Sequence, residues 1–247
     1  MNLLRRILPS LVLSVAIAAA LAAIVAGLGF RFGWWPLRAG IDAIRVVFWV
    51  ALGCSVAAVL AVALLALTTR ARRGLAMSGA GLAVAAVTAW IPYDLSATAK
   101  SLPAIHDIST DLADPPQFVR VATLRKTGDH PVAYDGEKVA AQQQKAYPDI
   151  VPMMLKVAPD KAFAAAQAAL TSMGLELDDA DAAQGRLEAT ETSLLFGFKD
   201  DVVVRIAATA DGSKVDVRSK SRIGGHDIGM NAKRVRTFLA KLKSQVG

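Results

Sequence analysis

Residues 196–234 read FGFKDDVVVRIAATADGSKVDVRSKSRIGGHDIGMNAKR. The pattern predicts a β-hairpin, then a glycine turn, then a basic amphipathic helix. Val202, Val204, Ile206 and Ala208 alternate with polar or smaller positions, as a strand with one buried face requires. Asp211-Gly212 is the two-residue signal of a tight hairpin turn. A turn centred there pairs Ala210 with Ser213, sets Arg205 opposite Arg218, and sets Val203 opposite Lys220. Val204, Ile206, Val215 and Val217 then share one face. The other face carries Arg205 beside Arg218, with Asp216 diagonal to Arg205 and Arg222 further along.

Like charges directly opposed across a sheet destabilise it unless something negative lies between them. Asp216 alone cannot neutralise three guanidiniums, so Asp200, Asp201 or a bound anion must contribute. Two readings follow. In one, carboxylates brace the arginines inside the fold. In the other, Arg205, Arg218, Arg222, Asp200, Asp201, Asp216, Asp227 and Asn231 line a site for a small anionic ligand. The carboxylate brace is the expectation for the arginines.

The same stretch resembles a known family. Phe198, the Asp200-Asp201 pair, Arg218, Ser219, Ser221, Arg222, Gly224, Asp227, Gly229 and Asn231 are similar to the signature of the family called domain of unknown function 1499 (DUF1499). Upstream, AIHDISTD and AYPDI resemble its membrane-anchored branch, so the likeness runs over roughly residues 104–242. His226 stands where the family pattern has Ser. The resemblance implies a fold and a membrane location, and no particular activity.

The whole chain has 247 residues, 54% of them hydrophobic, and a formal charge of +7. The first 100 residues hold nine bases (Arg5, Arg6, Arg31, Arg38, Arg45, Arg70, Arg72, Arg73, Lys100) against Asp42 and Asp94, which is the entire excess. The remainder is neutral, so the basic balance reports membrane flanks and not a nucleic-acid footprint. Cys54 is the sole cysteine, which excludes an internal disulfide and a cysteine-based metal cluster.

Three uncharged runs, 7–30, 46–69 and 74–93, each reach the ~20 residues needed to cross ~30 Å of hydrocarbon. They predict three transmembrane helices, the first an uncleaved anchor. Arg5, Arg6 and the Arg70–Arg73 turn place one side in the cytoplasm, and Trp34, Trp35, Trp49, Trp90 and Tyr93 cluster toward the other. Everything after Tyr93 is therefore expected outside, in the periplasm of a Gram-negative cell, anchored in the inner membrane. No charge falls mid-span, which argues against an ion pathway.

The expected divisions are a membrane anchor over 1–93, a polar linker over 94–117 and an extracytoplasmic domain over 118–247. Val119–Leu124 predicts a strand and Glu137–Ala146 a short helix. Met154–Val157, a helix from Pro159 to Met173, four strands (175–181, 186–193, 202–209, 214–223) and a final helix capped by Asp227 follow. The order β-α-β-β-β-β-α predicts an α+β domain, an antiparallel sheet with helices on one face. The buried stripes are expected at Phe163, Ala166, Leu170 and Met173, and at Ile228, Ala232, Val235, Leu239 and Leu242.

No cofactor or metal is expected: His106, Asp107 and Asp111 match no standard ligand spacing. Leu194, Leu195, Phe196 and Phe198 make an apolar connection, read either as core or as a lipid- or partner-binding tip. Lys233, Arg234, Arg236, Lys241 and Lys243 give the last helix a basic face suited to anionic lipid. The leading expectation is a non-enzymatic envelope protein that binds a protein partner or an anionic ligand. The alternative is an envelope hydrolase or transferase using Asp200, Asp201, His226 and Asp227. Adjacent strand residues point to opposite faces, which weighs against the aspartate pair as acid and base.

Overall fold

The computed structural model describes residues 2–67 and 72–246, with the backbone alone for residues 2–6. Arg70, Gly247 and the side chains of Arg5 and Arg6 lie outside that description. The chain divides into two compact units, Met1–Thr98 with Leu194–Gly197, and Ala99–Ser193 with Phe198–Gly247.

The first unit contains two long helices, α1 (Asn2–Arg31) and α2 (Leu37–Ala66), and all but the last three residues of a third, α3 (Arg72–Ser101). Apolar stretches of 25, 30 and 30 residues within them are long enough to cross a membrane. All three helices begin before the uncharged runs, α1 at Asn2. α2 starts nine residues before Val46, because Arg45 and Arg38 pair with Asp42 on its first turns, at 2.6 and 4.0 Å. α3 runs on past Tyr93 to Ser101.

Small residues let these helices touch. Val12 and Ala16 of α1, Cys54 and Ala58 of α2, and Ala85 of α3 form a buried cluster. A Cβ on Gly81 would lie 3.1 Å from the Leu13 backbone nitrogen. The Cys54 thiol donates to the Val12 carbonyl at 3.3 Å. In the same unit, Phe196 stacks at a tilt on Phe30, 6.3 Å between centroids, while Leu194 is 80% exposed.

The second unit is the expected α+β architecture with one strand more. Its sheet runs β1-β6-β5-β4-β3, entirely antiparallel, and β2 also pairs with β6. The strands are β1 (Asp107–Ser109), β2 (Met153–Leu155), β3 (Glu176–Asp181), β4 (Arg186–Thr192), β5 (Lys199–Thr209) and β6 (Gly212–Ser221). Helix α4 is Glu137–Ala146, as predicted. Helices α5 (Pro159–Ser172) and α6 (Met230–Val246) cover one sheet face. Alanines 162, 166 and 169 bring α5 close to that face, and Phe238 and Leu242 of α6 are fully buried against Val202, Val204 and Val217.

Three local expectations are corrected. The hairpin turn is Ala210-Asp211, with Thr209 paired to Gly212, so every partner shifts by two residues. Gly212 is needed elsewhere: at φ 149° it lies where a Cβ would sit 2.1 Å from the Leu155 carbonyl of β2. An even shift keeps the faces. Val204, Ile206, Val215 and Val217 share the core face as predicted, but Arg205 faces Asp216 and Arg218 faces Val203. Second, the predicted strand at 119–124 is a 3-10 helix, Val121–Leu124, because a carboxylate takes its leading N–H groups. Third, Ile228 is not on the α6 stripe. It sits at φ 54° in the turn before the helix.

Candidate functional site

The sheet face turned away from α5 and α6 is lined by charge. Alternation puts Asp216, Arg218 and Lys220 of β6, Asp201, Val203 and Arg205 of β5, and Glu188 of β4 on that side. It is not open. The segment from Thr110 to Asp135 lies across it, and Phe118 and Val121 cover Val203. Arg218, Lys220, Asp201 and Glu188 are fully buried as a result.

Burying so many charges is tolerable only with close partners and saturated hydrogen bonding. The partners come mostly from the covering segment. Arg218 donates through Nε and Nη2 to both oxygens of Asp107, each at 2.8 Å, a bidentate contact. Its remaining donors reach the Pro116 carbonyl at 3.2 Å and the Val132 carbonyl at 2.9 Å. The Phe118 and Tyr134 rings flank the guanidinium, at 4.9 and 5.3 Å. Lys220 joins Asp107 at 3.1 Å and Asp135 at 2.6 Å, and donates to the Ala133 carbonyl.

Two further groups repeat the arrangement. Asp201 receives Arg222 at 2.8 Å and Arg125 at 2.9 Å, with the Thr190 hydroxyl donating at 3.0 Å. Arg205 joins Asp216, Asp114 and Asp111 at 2.9, 2.7 and 3.4 Å, and Lys214 shares Asp111. The face thus holds Arg125, Arg205, Lys214, Arg218, Lys220 and Arg222 against Asp107, Asp111, Asp114, Asp135, Asp201 and Asp216. These six cations and six carboxylates balance, and Glu188 is met by Arg186 at 3.1 Å. Glu188 adds a cap, accepting from the backbone of Val119, Arg120 and Val121 at 2.8–3.1 Å.

The predicted residues therefore fall into two places. Arg205, Arg218, Arg222, Asp201 and Asp216 belong to this covered face. Asp200, Asp227 and Asn231 lie on the α6 side. Asp200 receives Arg234 at 2.7 Å, Asn231 joins the Ser219 and Ser221 hydroxyls at 2.6 and 2.9 Å, and Asp227 accepts from the backbone of Gly229 and Asn231 at 2.8 Å, the predicted cap. Sequence reasoning missed the pairing role of Asp107, Asp111, Asp114, Asp135, Arg125 and Glu188. It weighed Asp107 and Asp111 only as metal ligands, and they fall within the AIHDISTD likeness; nothing pointed at the others.

The residues of a hydrolase do not assemble. Asp200 and Asp201 take opposite faces. His226 accepts from the Ile228 N–H through Nδ1 at 3.0 Å, so Nε2 carries the proton and donates to the Ala99 carbonyl at 2.7 Å. Ser219 and Ser221 are buried beneath α6. His106 stacks on His130 at 4.1 Å and lies 3.3 Å from Asp135. Burial first, then the neighbouring His130, hold the His106 imidazole below its ordinary pKa. Burial likewise pushes the Tyr134 phenol up to about 12. Asp107 and Asp111 are spent on Arg218, Lys220, Arg205 and Lys214. Among the described residues no cluster of His, Cys, Asp and Glu is placed to hold a metal ion.

Three helices long and apolar enough to span a membrane, joined to an antiparallel α+β domain with an ion-paired face sealed by its own chain, define the class. Within it, the model of the family described as Protein of unknown function (DUF1499) matches residues 107–242. That is more than half of the chain, and the protein belongs to this family. The match begins at Asp107, the residue that pairs with Arg218. No curated protein matches the sequence.

Proposed function

We propose that the protein is a non-enzymatic envelope protein, anchored by α1, α2 and α3 in a bacterial inner membrane, whose periplasmic domain is a binding module for an anionic ligand. The observation that carries this reading is the state of the polar side chains. Asp200, Asp201, Asp227 and His226, the groups a hydrolase would use here, are each engaged in ion pairs, a cap or backbone hydrogen bonds. General acid-base catalysis needs such a group within reach of a substrate proton. The three sheet arginines form a brace in this account, and ligand binding falls to cations that have no carboxylate partner.

The orientation rests on two features. The arginines of the N-terminus and of the α2–α3 turn favour the cytoplasmic side. Trp34, in the α1–α2 connection, and Trp49, Trp90 and Tyr93, on α2 and α3, are each more than half exposed, as an interfacial aromatic belt requires. Alkaline phosphatase fused after Gly247 should be active in intact cells, and a fluorescent protein exported by the same route should stay dark. An inactive phosphatase with a bright fluorescent fusion would remove the periplasmic assignment.

A further inference from the structure

The α6 helix borders a groove of about 310 Å³, walled by Met173, Leu175, Glu191, Met230, Lys233, Arg234, Thr237 and Lys241. Met230, Lys233, Thr237 and Lys241 recur at three- and four-residue spacing, which places them on one side of the helix. Met173 caps the C-terminus of α5, and Leu175 follows the turn at Gly174, whose φ of 79° lets the chain reverse there. The apolar floor is Met173, Leu175 and Met230. Methionine is unbranched and adapts to irregular apolar shapes. The volume falls at the small end of ordinary ligand sites.

The cations of the groove differ in kind. Arg234 is saturated: it joins Glu191 and Asp200, and it donates to Ser219 and Asn231. It holds the wall in place. Lys233 is exposed and Lys241 half-buried, and neither makes an ion pair among the described residues. Eight residues of helix separate them, roughly 12 Å along the axis. Two unpartnered ammonium groups beside a strip of methionine and leucine complement a molecule that is anionic at its head and apolar behind it.

We infer that this groove binds an anionic phospholipid, its phosphate taken by Lys233 and Lys241 and the start of an acyl chain lying on Met173, Leu175 and Met230. The inference rests on reading the domain as a binding module, and it names that module's site and ligand class. A free phosphate ion would use the lysines and leave the apolar floor idle.

The test uses the full chain in an uncharged detergent, titrated with short-chain phosphatidylglycerol, short-chain phosphatidylcholine and inorganic phosphate. Binding is read by native mass spectrometry. Wild type should bind phosphatidylglycerol in preference to the other two. K233Q/K241Q should weaken that binding by about thirty-fold, from two lysines near an anionic group. Met230→Gln should weaken it while leaving any phosphate binding unchanged. K138E/K145E, on the exposed side of α4, should bind like wild type. Phosphatidylglycerol bound equally by wild type and K233Q/K241Q would overturn the groove assignment and leave the binding-module reading standing. Phosphate bound as tightly as phosphatidylglycerol would overturn the lipid assignment. No binding of any of the three would overturn the anionic-ligand reading as well.

Discussion

Arg218→Ala is expected to lower the stability of the C-terminal domain by about 3–5 kcal/mol, because it removes one partner of a fully buried pair. Asp107 would keep its charge in a closed interior with only Lys220 to answer it, and the Pro116 and Val132 carbonyls would each lose a donor. The Phe118 and Tyr134 rings would face a cavity where the guanidinium had been. For a domain of this size the melting transition should fall by on the order of 10 °C. Scanning calorimetry of the full chain in detergent reads it. If the arginine instead served a ligand, the variant would melt near wild type and lose only stabilisation by added anion. Arg205→Ala should cost less, because its side chain is 30% exposed and water can replace part of what is lost.

Asp201→Ala should have an effect of similar size, about 3–5 kcal/mol, for the opposite reason. It leaves two guanidiniums, Arg222 and Arg125, side by side with 8% and 6% of their side chains exposed and no carboxylate between them. Arg125 belongs to the covering segment, and Arg222 follows directly on β6. Their repulsion would act to lift the segment from the sheet. Replacing Arg125 by Met in the same chain should recover part of the loss, since it removes one of the two uncompensated charges. Urea denaturation of the single and double variants checks both values. An Asp201→Ala chain as stable as wild type would remove Asp201 from the brace.

The two sheet faces were legible because strand alternation has a period of two, and an even slip in register leaves that pattern intact. Val204, Ile206, Val215 and Val217 were placed correctly by a hairpin whose turn was misplaced. Asp211-Gly212 is a strong local signal, yet Gly212 answers a tertiary demand, the passage of Leu155. No local reading could find that contact, 57 residues away in the chain. The arginine partners were hidden for the same kind of reason. Asp107 lies 111 residues before Arg218, in a short strand with no periodic stretch to announce it. Val119–Leu124 looked like a strand because Val and Leu crowd it, and Glu188 of a distant strand turned it into a capped helical turn. On α6 the stripe of Ala232, Val235 and Leu242 was readable from its spacing. Asp227 and Asn231 were placed by the glycine turn and the family signature together.

Hydrogen exchange of the backbone between Val119 and Val121 tests the sealed, ion-paired face most directly. Those amides lie in an irregular segment, and nothing in the helix or strand ladders protects them. With Glu188 holding all three and the segment clamped by Asp107, Asp201 and their arginines, they should exchange as slowly as the β5–β6 ladder, and opening should require unfolding of the domain. Exchange at the rate of an exposed loop, with β5 and β6 still protected, would mean the charged face is open to solvent and would contradict the brace.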